Sequence, residues 1–216
     1  MIAYTTCSNE YFLHYYDMWS KSMNHFYPEL EKYIALYEPT EEQRKKCEED
    51  NINIIDMNLY FNDIQPTKQH FYLSRWLFLP YSKEDHVLCT QINCVPVKKQ
   101  SLKAEDLSCE LLRFIRQKGN RVGGIAAAVF SKEAAKKTHE YSHSLIKNPP
   151  KFDSTVAAWQ TSNLDIQTIL CEQKVLQENL KIEEQICWIT PCSMGATCSH
   201  KMKTKTLKHY LDKILR

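Results

Sequence analysis

The sequence predicts an α/β protein with a mainly parallel, Rossmann-like sheet that is covered by helices on both faces. Short β-prone runs alternate along the chain with segments whose apolar residues recur at helical spacing, and such alternation is typical of parallel sheets. The composition, with 43% hydrophobic and 25% charged residues, is that of a globular domain and excludes a disordered chain. Because no repeat or linker interrupts the 216 residues, we expect a single domain over residues 1–216.

The first half of the chain predicts strands and helices in strict alternation. Tyr15, Trp19 and Met23 show the helical signal, because they fall on one face of a helix that Pro28 would end. The run Ile2–Thr6 shows the strand signal, since it is short, β-prone and closed by polar residues. The predicted elements are strands at residues 2–6, 33–37, 53–58 and 87–90 and helices at residues 11–27, 41–50 and 66–80.

In the second half, Leu107, Leu111 and Ile115 recur at helical spacing, and Ser131 is a suitable N-cap for a further helix. The predicted elements are a helix at residues 105–117, an apolar run at 122–130, a helix at 132–146, a short helix after Asp153, strands near 164–170 and 186–190, and a basic C-terminal helix.

Composition also narrows the function classes. The 28 Lys and Arg residues are nearly balanced by 26 Asp and Glu residues, which is not the charge pattern of an obligate nucleic-acid-binding protein. Only 4 glycines occur, so a glycine-rich phosphate loop is not expected, and no apolar run approaches the ~18 residues of a membrane span. The 9 cysteines form no C-x-x-C pair and follow no secretory signal. We therefore expect free thiols and a cytoplasmic protein.

Two residue sets could bind zinc. His139-Glu140-Tyr-Ser-His143 matches H-E-x-x-H, in which two histidines one helical turn apart hold the metal and the glutamate acts as base. Lys136 and Lys137 precede the motif, which favours a solvent-facing helix over a zinc site.

The second set has the right residue types at irregular spacing. It consists of Cys187, Cys192, Cys198 and His200. Neither a G-x-S-x-G nucleophile elbow nor a P-loop nor a G-x-G-x-x-G motif occurs, so the sequence gives no support to a hydrolase, a kinase or a dinucleotide-binding enzyme.

The order of the elements and the polar residues at their ends resemble the GT-A glycosyltransferases, nucleotide-sugar-dependent enzymes that include the family 8 transferases. The first strand ends in Thr5-Thr6 and the third in Asp56, and a helix with Lys68–Trp76 precedes the strand segment Asp85–Cys94. Three later pieces are also similar to that family: the small-residue segment Arg121–Phe130, the acidic helix start Asp153–Trp159 and the basic segment His200–Lys203.

The resemblance implies a set of donor-binding residues and one residue on the acceptor side. The donor-binding set is Thr5, Thr6 and Asp56 for the nucleoside, Arg75, His200 and Lys203 for the diphosphate, and Gln91 and Asn93 for the part of the donor where a metal normally lies. Asp153 is implied as the catalytic base or as an anchor for the sugar, and an N-cap is its structural alternative. For Arg75 the alternative is ordinary packing between helix and sheet.

The sequence departs from the family at its metal-binding motif. Where the family has Asp-x-Asp, this chain has Gln91-Ile92-Asn93. Amides carry no charge and bind Mg²⁺ or Mn²⁺ weakly, so a metal held by Asn93 and His200 would be bound loosely. Either transfer proceeds without a metal, with Arg and Lys neutralising the leaving diphosphate, or transfer activity is lost.

The sequence thus predicts transfer of a sugar from a nucleotide diphosphate sugar to an acceptor. The basic C-terminal segment makes a polyanionic acceptor one possibility. A non-catalytic GT-A-like binding or scaffold protein, which the amide pair favours, is the first alternative. A zinc-binding protein that uses His139 and His143, or the cysteine set, is the second.

Overall fold

The computed structural model describes residues 1–61, 64–66, 68–77, 84–116, 127–147, 178–183, 187–189, 208–209 and 211–215. The strands are β1 Ile2–Thr6, β2 Glu31–Leu36, β3 Ile52–Asp56, β4 His86–Gln91, β5 Val95–Pro96, β6 Leu111–Arg116, β7 Ala127–Ser131, β8 Glu178–Glu183 and β9 Trp188–Ile189. The helices are α1 Asn9–Phe26, α2 Glu41–Glu49, α3 Asn58–Phe61, α4 Lys68–Leu77 and α5 Lys132–Ser144.

Seven of these strands form one sheet in the order β3-β2-β1-β4-β7-β6-β8. The pairs β1–β2, β1–β4, β2–β3 and β6–β8 are parallel, whereas β7 runs antiparallel to both of its neighbours. The sheet is therefore mainly parallel, as predicted. The parallel strands β1 to β4 all end at one side, which we call the carboxyl edge. Strands β5 and β9 form a separate two-stranded ladder.

Apolar side chains fill both faces of the sheet. On one face, α1 packs Trp19 and Met23 against Ala3 and Leu88 of the central strands. On the other face, α4 and α5 cover the sheet, and Trp76 lies against Phe130 with ring centroids 5.7 Å apart. The two layers of helices confirm the predicted α/β architecture.

Side-chain caps fix where the helices of this sheet begin. Ser8 caps α1 by accepting a hydrogen bond from the Tyr11 amide, and Ser131 caps α5, as its sequence predicted. Thr40 and Gln43 form a reciprocal capping box at the start of α2. Both α1 and α2 follow strands that end at the carboxyl edge, so the first turn of each helix lies at that edge.

The structure corrects two parts of the prediction. The helix predicted over residues 105–117 is wrong, because a short 3-10 turn at Asp106–Ser108 is followed by strand β6. Leu111 and Leu112 of that strand are buried in the clusters on opposite faces of the sheet. Strand β8 was not predicted.

Other predictions are tested only in part. Within the predicted strand at 186–190, residues 188 and 189 are extended as β9. Residues 208–209 and 211–214 are helical, with Leu211 buried, which agrees with an amphipathic C-terminal helix. The strand near 164–170 and the short helix after Asp153 lie outside the described residues. In the described part of the chain, no helix has the length and apolarity that a membrane crossing requires.

Candidate active site

The strand order creates a crevice at the carboxyl edge between β1 and β4. The chain leaves β1 toward β2 and β3 on one side and then returns to form β4 on the other side. In open α/β sheets, ligands bind where the strand order reverses in this way. Thr6 at the end of β1 lies level with Ala35 in β2 and with Gln91 in β4. The end of β1 is thus the centre of the candidate site.

Three of the implied donor-binding residues lie at this point with accessible side chains. Thr6 and Gln91 end adjacent strands, and Asn93 follows in a turn that the Cys94 amide closes on the Gln91 carbonyl at 2.8 Å. All three are partly exposed, and within the described ranges none of their side chains makes a hydrogen bond. One hydroxyl and two amides therefore offer both donors and acceptors to a polar ligand.

Thr5 lies beneath the crevice instead of lining it. Its side chain is fully buried, and its hydroxyl donates to the Thr90 carbonyl at 2.9 Å. A direct side-chain contact between Thr5 and a nucleoside stays a prediction, although the hydroxyl hydrogen of Thr5 is already used in the bond to the Thr90 carbonyl.

Asp56 ends β3, and both of its carboxylate oxygens accept hydrogen bonds from neighbouring residues. One oxygen accepts from Arg44 of α2 at 2.8 Å, and the other accepts from the Asn58 amide at the start of α3 at 3.0 Å. The carboxylate keeps 27% exposure. A ligand hydroxyl would therefore share Asp56 with Arg44, and the predicted nucleoside contact stays untested.

Arg75 lies between α4 and the sheet with 6% exposure. Its guanidinium carbon is 5.0 Å from the centre of the Trp76 ring. The guanidinium also lies beside Cys89 of β4, where it partly opposes the burial that raises the pKa of the Cys89 thiol. Because side chains alternate along a strand, Gln91 lies on the same face as Cys89, about 7 Å further along β4. The buried positive charge of Arg75 thus lies on the same face of β4 as Gln91, beside a residue two positions before it.

One polar residue at this edge was missed by the sequence reasoning. Asn9 is exposed in the first turn of α1, and its Oδ1 accepts from Gln43 Nε2 at 3.2 Å. Gln43 is itself fixed, because its Oε1 accepts from the Thr40 amide. Asn9 therefore holds its carbonyl toward Gln43, and its amide N–H groups make no hydrogen bond within the described part of the chain. An asparagine in the first helical turn after a strand with a polar end was the signal that could have found it.

The backbone at the end of β2 is strained. Glu38 adopts a φ of 47°, a left-handed conformation that costs about 1 kcal/mol or more for a residue with a Cβ. Partial burial and the Glu38 carboxylate raise the pKa of the adjacent Tyr37. Both residues follow the strand next to β1, so this strained backbone borders the crevice.

The H-E-x-x-H motif lies on α5, which covers the face of the sheet opposite to α1. The rings of His139 and His143 are 6.0 Å apart, and His139 Nδ1 donates to the Leu77 carbonyl at 2.6 Å. Glu140 is exposed and lies 4.0 Å from the ammonium of Lys136. No group of three or more His, Cys, Asp or Glu residues within the described ranges is arranged to hold a metal ion.

The cysteine set is only partly described. Cys187 is a buried free thiol, whereas Cys192, Cys198 and His200 lie outside the described residues. The described cysteines are free, which agrees with the expectation of free thiols for Cys7, Cys47, Cys89, Cys94, Cys109 and Cys187.

The described residues do not fit a divalent metal at the crevice. Gln91 and Asn93 supply neutral amides where Mg²⁺ or Mn²⁺ favours carboxylates, and the described part of the site adds no carboxylate beside them. The remaining implied residues, Asp153, His200 and Lys203, lie outside the described ranges.

Comparison with known proteins shows the fold. Neither a protein-family model nor a curated protein matches the chain. Among solved structures, the apo form of glycosyltransferase GlyE from Streptococcus pneumoniae TIGR4 matches with a TM-score of 0.57 at 15% identity, over 96% of this chain and 51% of GlyE. A second GlyE structure gives a TM-score of 0.56 at 15% identity, over 99% of this chain and 51% of GlyE.

Galactosyltransferase LgtC, in complex with donor and acceptor sugar analogues, gives a TM-score of 0.45 at 15% identity, over 70% of this chain and 67% of LgtC. A score below 0.5 does not establish a common fold. The GlyE matches do, and they confirm the predicted GT-A-like α/β fold. The chain spans about half the length of GlyE.

Proposed function

We propose that this protein is a glycosyltransferase that binds a nucleotide diphosphate sugar at the carboxyl edge of β1 and β4. The observation that carries the proposal is the cluster of Thr6, Gln91 and Asn93 at the reversal of strand order, in a chain with the fold of GlyE. Three accessible polar side chains at this one place suit a ligand with many hydrogen-bonding atoms.

The nucleoside would lie at the ends of β1 and β3. Asn9 offers amide donors to the base, and Asp56 can accept from a ribose hydroxyl while it keeps its bond to Arg44. Only the width of strand β2 separates the end of β1, next to Asn9, from the end of β3 at Asp56. One nucleoside can therefore reach both groups.

The diphosphate would lie over the turn between Gln91 and Asn93. Their amide N–H groups donate to phosphate oxygens, and the buried charge of Arg75, on the same face of β4 as Gln91, stabilises the negative charge that develops on the leaving diphosphate. Hydrogen bonds from Gln91 and Asn93 and the positive charge of Arg75 would thus stabilise the leaving diphosphate, as a metal ion otherwise would.

The later part of the chain reaches the same edge. Strand β9 runs antiparallel to β5, with Ile189 opposite Val95 and Trp188 opposite Pro96. Its direction is therefore toward the turn at Asn93. This direction supports the proposal that His200 and Lys203 contact the diphosphate. Asp153 as acceptor-side base is proposed on the resemblance alone.

Titration calorimetry with uridine and guanosine diphosphate sugars tests donor binding. We expect one nucleotide class to bind, and we expect Asn93→Ala to weaken that binding about tenfold through the loss of a charge-assisted hydrogen bond. Asn24→Ala is the matched control, because Asn24 is an exposed asparagine at the far end of α1 that contacts the Asp50 carbonyl. Failure of every donor to bind, or equal affinity in the two variants, would contradict the proposal.

The amide pair also favours a second candidate, a GT-A-like protein that binds the donor without transfer. Release of nucleoside diphosphate from the bound donor distinguishes the two, since slow transfer to water occurs even without the true acceptor. Binding with no release above the rate without protein would favour the non-catalytic alternative.

A further inference from the structure

A chain of buried hydrogen bonds lies directly beneath the crevice. The indole Nε1–H of Trp19 in α1 donates to Thr90 Oγ1 in β4 at 2.9 Å, and the Thr5 hydroxyl in β1 donates to the Thr90 carbonyl at 2.9 Å. All three residues have 0% exposure. These bonds join one helix and the two central strands at the place where both strands end.

The apolar surroundings do not require polar residues here. Thr5 and Thr90 are partners across β1 and β4, and alternation along the strands places them on the same face as the buried Ala3 and Leu88. Valine has the shape of threonine and would fill the same space. The hydroxyls and the indole instead fix the relative positions of α1, β1 and β4. A buried polar group that loses its partner costs desolvation free energy, so these hydrogen bonds favour one arrangement of the three elements.

The bonded residues directly precede the residues that line the crevice. Thr6 follows Thr5 at the end of β1, and Gln91 follows Thr90 at the end of β4. A change in the spacing or twist of the two strands at Thr5 and Thr90 would therefore move both accessible side chains.

We propose that Trp19, Thr90 and Thr5 are positioning residues that hold Thr6 and Gln91 at the spacing needed by the donor. That the ligand is a sugar donor rests on the proposed function. That the three residues hold the ends of β1 and β4 in place does not depend on it.

The test compares two substitutions at one position. Thr90→Val removes the acceptor oxygen at constant shape, and Thr90→Ser keeps it. We expect Thr90→Val to weaken binding of the donor nucleotide about fivefold to tenfold, the equivalent of one net hydrogen bond, and Thr90→Ser to keep wild-type affinity. Trp19→Phe removes the N–H from the other side and should act like Thr90→Val, which provides a second variant if Thr90→Val folds poorly.

The matched control is Thr138→Val. Thr138 is another fully buried threonine, and its hydroxyl donates to the Ala134 carbonyl at 2.7 Å within α5, away from the crevice. It should lower the melting temperature less than Thr90→Val, because the Ala134 carbonyl keeps its helical hydrogen bond, and it should leave nucleotide affinity unchanged. Equal losses of affinity in both variants, or none in Thr90→Val and Trp19→Phe, would overturn the inference.

Amide hydrogen exchange gives a readout that needs no ligand. Exchange at residues 6–9 and 91–94 should increase in Thr90→Val and in Trp19→Phe but not in Thr138→Val. If the wild-type protein binds no nucleotide sugar while these segments respond as expected, the proposed function fails and the ordering of the strand ends stands. If the segments do not respond, the positioning role is wrong whatever the protein binds.

Discussion

The buried charge of Arg75 gives the strongest single prediction about the donor site. The perturbation is Arg75→Met, which keeps an apolar side chain of similar length against Trp76 and removes the guanidinium. Arg75 has only 6% exposure, so water screens its charge little, and at a separation of about 7 Å with an effective dielectric constant of about 20 its attraction for one phosphate charge is about 2 kcal/mol. At about 1.4 kcal/mol per tenfold change, donor affinity should fall about 10-fold to 100-fold.

Stability is measured beside affinity. The guanidinium of Arg75 also contacts the Trp76 ring and Cys89, so Arg75→Met should lower the melting temperature as well. Calorimetric titration with the donor, together with a thermal melt, measures both quantities. Lys137→Met is the control, since Lys137 is a half-buried cation on α5 that pairs with Glu110 at 2.6 Å. Donor affinity within twofold of wild type in Arg75→Met would show that Arg75 only packs helix against sheet.

Three further predictions concern the metal, a buried lysine and a buried thiol. Donor affinity should change little between EDTA and Mn²⁺, because Gln91 and Asn93 are weak ligands for hard cations, and a titration in which chelation abolishes binding would refute this. Lys32 has 4% exposure and burial lowers its pKa, so Lys32→Met should raise the free energy of unfolding in urea by about 1 kcal/mol. The folded state releases the Lys32 proton more readily than the unfolded state, so wild-type stability should rise relative to Lys32→Met as the pH approaches 10.5, and a constant difference would contradict that. Burial raises the pKa of Cys89, so this thiol should react with a disulfide reagent at pH 8 only after denaturation, and rapid labelling in the native protein, located by mass spectrometry, would exclude the buried position.

The parallel part of the fold was predictable because its elements carry distinct periodicities. Tyr15, Trp19 and Met23 recur at helical spacing, and all three are buried on the inner face of α1. Strands β1, β3 and β4 end in the polar residues Thr6, Asp56 and Gln91. These polar ends are local signals that carry the resemblance to the GT-A glycosyltransferases, and that resemblance implied Thr6, Gln91 and Asn93 as donor-binding residues without knowledge of any contact.

The errors arose where the two periodicities coincide. In β6, Leu111 and Leu112 are both buried because the strand is covered on both faces, and such a continuous apolar run fits a helix equally well. In β8, Leu180 and Ile182 alternate with polar residues between two glutamates, and the charged ends hid a short strand.

The supporting contacts of the site could not be predicted because they join distant parts of the chain. Trp19 and Thr90 are 71 residues apart, and Asn9 and Gln43 are 34 residues apart. Each of these residues has an ordinary local role, as an apolar helix residue, a strand residue or a cap. Only the fold, which brings their elements together, shows that they orient side chains at the carboxyl edge.

The most direct test of the central claim is amide hydrogen exchange with and without the nucleotide sugar that binds. The account predicts that the ligand protects residues 6–9 and 91–94 at the ends of β1 and β4, and leaves residues 178–183 of β8, three strands away from β4, unchanged. Protection confined to α5 around His139 and His143, or to β8, with none at the ends of β1 and β4, would contradict a donor site at this edge.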